Sequence, residues 1–389
     1  MNPLRCHDIA DLRAAARRRL PRGLFDYVDR GCDAEVGLAA NRAAFDAIRF
    51  APRVLAGAAE RSLQTSVLGH AQALPMAIAP MSPAGLLWFE GERELAEAAK
   101  EAGIPFTLAT ESMTALETIA REVGGTLWFQ LYIWHERALS WRLVERAARA
   151  GYQALLLTAD TPVPPHRAFN NRSGYGTPFR PSTANIADML LHPRWLAGVI
   201  GRYALARGLP RLENHPGEPK RTVLHAAAPE TRLNPSIAWE DVRTLRGIWP
   251  GKLLVKGILR ADDARRAIDC GADGVVVSNH GARNLDSACA TSTALPAIAN
   301  AIGGHASILL DSGVRYGSDI AKALALGAEA VLIGRPALFG IATAGRAGAA
   351  RALALLAHEF DTVLANLGCR APSELNADLI WCPAAIGPT

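Results

Sequence analysis

Gly274-Val275-Val276-Val277-Ser278-Asn279-His280-Gly281-Ala282-Arg283 reads as a buried strand that ends in an imidazole and a guanidinium, three residues apart. A continuous apolar run without polar alternation is the pattern of a strand covered on both faces. Histidine moves protons near neutral pH, and arginine grips carboxylates through paired N–H donors. The pair suits a small organic anion that gives up a proton.

Seven other apolar runs have the same form, at 76–79, 105–109, 127–131, 154–158, 253–256, 308–311 and 330–333. Between most of them lie helical patterns at 92–102, 114–123, 136–150, 261–270, 293–302 and 317–326, several closed by glycine, as in Ala102-Gly103, Ala150-Gly151, Cys270-Gly271 and Leu326-Gly327. Eight strand–helix units in about 260 residues predict a (β/α)8 barrel, a TIM-type α/β fold. A doubly wound sheet is the structural rival. No GxGxxG opens a helix after a strand, so a Rossmann dinucleotide site has no support.

Two helices, at 8–30 and 33–46, are expected before the repeat. The whole chain, 1–389, reads as one domain, with a helical segment at 1–70, the barrel at 71–345 and a helical tail at 346–389. A long insertion, 161–249, follows the fourth strand. Its stretch 188–207 is apolar and basic, and 210–230 is polar, proline-rich and expected to be exposed.

Composition narrows the function classes. The net charge of +5 is spread out, with no basic block that calls for nucleic acid. Six scattered cysteines with no CxxC pair argue against a disulfide framework or a zinc site and predict no metal. The first twenty residues carry charges and no apolar core, so no secretory signal is expected. A cytoplasmic location follows, with no run long enough to span a bilayer.

In such a barrel the chemistry lies at the C-terminal strand ends. Those ends carry Pro80-Met81-Ser82, Ala109-Thr110, Gln130-Leu131-Tyr132, Thr158-Ala159-Asp160, Lys256-Gly257, Ser278-Asn279-His280, Asp311-Ser312-Gly313 and Gly334-Arg335. Gly313, Arg315, Gly334 and Arg335 suggest a phosphate site after the last two strands. Lys256, at the end of an apolar run, either forms a Schiff base or sets a positive charge beside an anionic cofactor.

These residues resemble the FMN-dependent 2-hydroxy acid dehydrogenase and oxidase family, the group of glycolate oxidase, lactate dehydrogenase and mandelate dehydrogenase. The resemblance covers nearly the whole chain. It is carried by Phe25-Asp26-Tyr27, Asn41-Arg42-Ala43-Ala44-Phe45, Trp128-Phe129-Gln130-Leu131-Tyr132, Leu254-Val255-Lys256-Gly257, Ser278 to Arg283, Asp311-Ser312-Gly313 and Gly334-Arg335-Pro336. Residues 249–257 and 311–335 are most similar to the mandelate enzymes. The insertion around His192-Pro193-Arg194-Trp195 is closer to the lactate enzymes.

The resemblance implies FMN and oxidation of an (S)-2-hydroxy acid to a 2-oxo acid. It implies His280 as base with Asp160 as its partner. Arg283 and Arg167 would bind the substrate carboxylate, and Tyr27 and Tyr132 would donate to the substrate. Lys256 would lie by the flavin, which favours its electrostatic role. Gln130, Thr158 and Ser278 would hydrogen-bond the flavin, Asp311 its ribityl chain, and Gly313, Arg315, Gly334 and Arg335 its phosphate. Pro80, Met81, Ser82 and Ala109 would complete the cofactor wall. A homotetramer is also implied.

Three positions depart from the family pattern. Ala109 replaces a common serine, which puts one flavin hydrogen bond in doubt. Ser82 stands where dehydrogenases tend to carry glycine and oxidases alanine, and settles neither. Glu111 replaces an apolar or aromatic residue of the substrate side-chain pocket; it either points to solvent or selects a substrate with a hydroxyl or amine. The insertion's Trp195, Leu196, Val199, Ile200 and Tyr203, with Arg194, Arg202 and Arg207, form a helix for an anionic membrane or for the protein's own barrel. A membrane contact at the cytoplasmic face of the inner membrane would point to a quinone as electron acceptor. An oxygen-using oxidase that makes hydrogen peroxide is the runner-up, and an FMN barrel isomerase or a Lys256 aldolase the distant one.

Overall fold

The computed structural model describes residues 2–176 and 178–381. Cys382 and the end of the expected C-terminal tail lie outside the described residues. A hairpin, β1 (Thr65–Val67) and β2 (His70–Gln72), precedes eight parallel strands. These are β3 (Met76–Ile78), β4 (Phe106–Ala109), β5 (Leu127–Leu131), β6 (Ala154–Thr158), β7 (Lys252–Ile258), β8 (Gly274–Val277), β9 (Ser307–Leu310) and β10 (Ala330–Ile333). Each pairs with its neighbour in sequence, and β10 closes on β3 with Val331 opposite Met76, which makes the expected (β/α)8 barrel.

Strand alternation sorts every barrel residue to one of two cores. Outward residues such as Ile78, Phe129, Leu155, Val255 and Val275 pack with the helices. Inward residues Ala77, Trp128, Leu156, Leu254, Val276, Leu309 and Leu332 form a second cluster. Alanines opposite a tryptophan fill the narrow interior without voids. The hairpin, which sequence reading missed, adds Val67 and Leu68 to that cluster. Two residues further along the same inward faces come Gln130, Thr158, Lys256, Ser278, Asp311 and Gly334. The alternation that builds the core therefore also aims the polar strand ends at one space.

Strand limits lie within one residue of those expected, except in β7, which runs two residues past Lys256 through a register shift at Gly257. A Cβ there would lie 2.6 Å from the Cβ of Asp160, and φ is +106°, so only glycine lets β6 and β7 approach. The helix expected over 8–30 is two, Ile9–Arg19 and Arg22–Asp29. Pro21 has no N–H and forces the residue before it out of helical geometry, so the chain turns there. Helix Arg335–Leu367 kinks at Ala344 and Gly345, between the barrel and the C-terminal tail.

The structure revises the reading of the insertion at two points and decides between the two alternatives at a third. Near the insertion's end Trp239–Ile248 forms a helix of the barrel layer, joined to Arg137–Arg149 by the Arg137–Asp241 ion pair at 2.7 Å. The apolar face of 193–206 is not free: Trp195, Val199 and Tyr203 are fully buried on this chain's own barrel. Trp195 Nε1 donates to Leu86 O at 2.7 Å, and the Tyr203 ring lies 4.8 Å from Phe89. The apolar residues left exposed are instead Ile186, Leu190, Leu191, Leu205 and Leu209. Lastly, the loop at 210–230 buries Leu212, Asn214 and His215. Asn214 accepts from Leu116 N at 3.0 Å and His215 meets Glu111, so strand-end partners pull a polar segment inward.

Candidate active site

A cavity of about 580 Å³ opens at the C-terminal end of the barrel. Its lining includes every residue expected to touch substrate or cofactor except Ser278. Asp160 also lies outside the lining, behind His280.

His280 Nδ1 lies 2.9 Å from Asp160 Oδ1. An ionised carboxylate only accepts, so Nδ1 carries the proton and Nε2 keeps its lone pair. Nε2 points to the Tyr132 hydroxyl at 3.4 Å, on the cavity side. Burial raises the Asp160 pKa, but the pull of His280, including its Nδ1 hydrogen bond, and of the Lys256 charge outweighs it and holds the carboxyl below its usual range. A depressed carboxyl stabilises the fold above its unfolded pKa of about 3.9, and that contribution is lost as pH falls through the folded value. Denaturant titrations between about pH 5 and 3 should therefore cost the native chain more stability than Asp160→Asn. Parallel curves would show that the carboxyl is not held down.

The backbone presents His280 through a left-handed turn. His280, Gly281 and Ala282 have φ of 58°, 66° and 57°. Each non-glycine residue in that region costs about 1–2 kcal/mol. Four contacts offset the cost. Ser278 Oγ accepts from His280 N at 3.0 Å, Ser312 Oγ from Gly281 N at 2.8 Å and Asn279 Oδ1 from Ala282 N at 3.1 Å. Gly281 O accepts from Arg335 Nη1 at 3.0 Å. Asn279 is held in turn by a reciprocal amide pair with Asn41, at 3.0 and 2.8 Å. Sequence reading had Asn41 only as part of a resembling motif and did not see this brace.

Lys256 Nζ sits 2.8 Å from both Asp311 Oδ2 and Ser278 Oγ. Burial alone would lower its pKa, yet Asp311 and Asp160 outweigh that and raise it. A lysine held in its charged form is a poor Schiff-base nucleophile, which disfavours the aldolase alternative. Gln130 donates Nε2 to Thr158 Oγ1 at 3.0 Å, and its Oε1 accepts from Thr110 N at 3.2 Å. Ser82 Oγ donates to the backbone carbonyl of Glu111.

The cavity holds a surplus of guanidiniums. Arg167, Arg283, Arg315 and Arg335 all line it, and among the described residues none of the four has an ion pair. Arg283 and Arg167 flank the Tyr27 ring, at 5.0 and 6.0 Å from its centroid. Arg283 donates Nη1 to Tyr27 O at 2.6 Å, and Arg167 is anchored to Arg283 O at 3.0 Å. Burial and the neighbouring Arg167 charge lower Arg283 to about 10. Burial and Arg42 lower Arg315 to about 10, and burial with Arg315 and Arg283 pulls Arg335 well down. Buried, mutually repelling cations call for bound anions.

FMN fits this cavity. Its phosphate matches Arg315 and Arg335, and a Cβ at Gly334 would meet nothing closer than Met81 Sδ at 3.8 Å, so the backbone there is open to the cavity. Lys256 supplies a fixed positive charge. Glu111 is partly buried and turned to the protein: its carboxylate meets His215 and Arg221, two insertion residues that sequence reading had left in an exposed loop. Thr161 and Asn284 are also new, since Asn284 Nδ2 donates to Asp160 O and Thr161 Oγ1 at 2.9 and 2.7 Å.

The family model described as FMN-dependent dehydrogenase matches residues 16–382. (S)-Mandelate dehydrogenase of Pseudomonas putida is 41% identical over 375 residues, 96% of this chain and 93% of that protein. L-lactate dehydrogenase of Stenotrophomonas maltophilia is 40% identical over 368 residues, 95% of this chain and 97% of that protein. The crystal structure of the monotopic membrane protein (S)-mandelate dehydrogenase superposes with a TM-score of 0.91 at 40% identity, over 97% of this chain and 99% of that one.

Proposed function

This chain belongs to the FMN-dependent dehydrogenase family, and from that premise we propose that it oxidises a mandelate-like or lactate-like (S)-2-hydroxy acid to the 2-oxo acid. It is an FMN-dependent oxidoreductase of the hydroxy acid dehydrogenase type. The observation that carries the substrate class is the unpaired Arg167–Arg283 pair beside Tyr27, Tyr132 and the free Nε2 of His280. A carboxylate placed on the guanidiniums brings the adjacent hydroxyl carbon toward the imidazole.

Arg283 and Arg167 hold the substrate carboxylate, and Tyr27 and Tyr132 orient it. His280 takes one proton on Nε2, and Asp160 stabilises the imidazolium that forms. Burial, aided by the Asp160 charge, raises the Tyr132 pKa, so its hydroxyl stays a donor. When bound, FMN supplies the two-electron acceptor. Lys256, held charged beside Asp311, would place a positive charge at the flavin site. Pro80, Met81, Ser82, Ala109, Gln130, Thr158 and Ser278 would hold the ring system. Asp311, Gly313, Arg315, Gly334 and Arg335 would hold the ribityl phosphate. In this reading all of the chain serves one FMN-binding domain, assembled as a homotetramer that light scattering would detect.

The purified protein should be yellow, and (S)-2-hydroxy acids should bleach it without oxygen. A flavin that no 2-hydroxy acid bleaches removes the reading. Repeating the titration in air tests the oxidase alternative, which requires stoichiometric hydrogen peroxide.

We propose a membrane quinone as acceptor. Among the described residues no helix is long and apolar enough to cross a membrane. Leu190 and Leu191 are exposed and close in sequence to Arg194, which has no partner among the described residues, and Leu205 and Leu209 are exposed further along the same insertion. Arg202 stacks on Phe89 at 4.2 Å and Arg207 pairs with Glu90 at 2.5 Å, so those two are committed to the barrel. Apolar side chains beside a free cation suit an anionic lipid surface. Changing the four leucines to glutamine should move the protein from the membrane pellet to the supernatant and leave flavin bleaching intact. Removing the whole insertion is a poorer test, because Leu212 and Arg221 line the cavity.

A further inference from the structure

Glu111 stands in the wall of a cavity whose other chemistry gives it no task. Its Oε1 lies 2.9 Å from Nε2 of His215, which is buried against Trp134 with ring centroids 4.9 Å apart. Its Oε2 lies 3.7 Å from Arg221 Nη1. That second separation is too long for a hydrogen bond. Arg221 donates Nε to His225 O at 3.0 Å, and among the described residues its side chain has no other acceptor. Its side chain is only 12% exposed. Burial lowers its pKa, against the pull of Glu111. Burial would raise Glu111, but His215 and Arg221 hold it below the usual carboxylate range. An ionised acceptor and a charged donor therefore face the same cavity, each with unfilled hydrogen-bonding capacity.

The same cavity is also lined by the apolar Met113, Leu212, Val223 and Leu233, and by Arg232. A hydroxyl group matches this setting. It donates to Oε2 of Glu111 and accepts from Arg221. A second carboxylate on the substrate would meet the Glu111 charge, and an ammonium would meet that of Arg221. We propose that Glu111 and Arg221 form a subsite for a hydroxyl group at the end of an apolar substrate side chain. His215 acts as a positioning residue that orients the carboxylate. The inference rests on the 2-hydroxy acid oxidation proposed above and names the side chain that oxidation selects.

The test compares paired aromatic (S)-2-hydroxy acids that differ only in one ring hydroxyl. Anaerobic flavin reduction is measured for the native holoenzyme, Glu111→Gln, Arg221→Met and Arg221→Lys. A hydrogen bond to a charged group is worth roughly 10–100-fold, so the native protein should favour the hydroxylated acid by that factor in kcat/KM. Glu111→Gln and Arg221→Met should each bring the ratio near unity, and Arg221→Lys should recover part of it. The ratio is internal to each variant, so a general loss of activity does not disturb it. If one variant fails to retain flavin, the other carries the comparison. Equal rates for both acids in the native protein overturn the subsite while leaving the oxidation reading standing. A ratio that survives both Glu111→Gln and Arg221→Met overturns it as well. If neither acid reduces the flavin, the oxidation reading fails and the subsite with it.

Discussion

Replacing His280 with glutamine should slow anaerobic flavin reduction by roughly 10²–10⁴-fold, the usual contribution of a positioned general base. The size follows from the absence of a substitute. Tyr132 lies 3.4 Å from Nε2, but burial raises its pKa, and it cannot accept the proton near neutral pH. Asp160 is on the Nδ1 side, away from the cavity, and its pKa is depressed. Glutamine leaves Ser278 Oγ free to accept from the backbone N of residue 280, so the turn survives. The variant should remain yellow and bind 2-oxo acids with near-native affinity. Retention of more than a tenth of the native rate would place the base elsewhere.

Arg283→Met should lower kcat/KM by roughly 10²–10⁴-fold, mostly through KM, because up to two charge-assisted hydrogen bonds to the carboxylate are lost. Arg283 Nη1 also ties Tyr27 O and Arg30 O at 2.6 and 3.2 Å, so the N-terminal helix loosens as well. Arg283→Lys separates the two effects. It keeps a positive charge but not the planar fork, and should recover about 10-fold while KM stays raised. Full recovery by lysine would mean that charge alone binds the substrate. An unchanged KM in Arg283→Met would remove Arg283 from the carboxylate site.

Much of the site was legible because strand alternation is local. Gln130, Thr158, Lys256 and Ser278 lie two residues beyond inward apolar partners, and a period of two can be read without coordinates. His280 and Arg283 follow β8 directly, so the same reading carried them to the cavity. The hairpin β1–β2 was not legible, since three-residue strands carry little periodicity. The insertion left two readings open for a different reason. Trp195, Val199 and Tyr203 have the spacing of a buried stripe, but spacing does not say whether lipid or barrel covers it.

The sequence by itself determined the barrel, the polar ring at its mouth and the residue types suited to a proton, a carboxylate and a phosphate. Each depends on contacts between near neighbours or on a repeated unit. Only the tertiary structure decided that four guanidiniums share one cavity without a carboxylate partner among the described residues, and that Glu111 faces His215 and Arg221 across about 100 residues of chain. It also decided which leucines of the insertion stay exposed. The physical reason is that charge pairing and burial depend on distance in space, and a sequence records distance only along the chain.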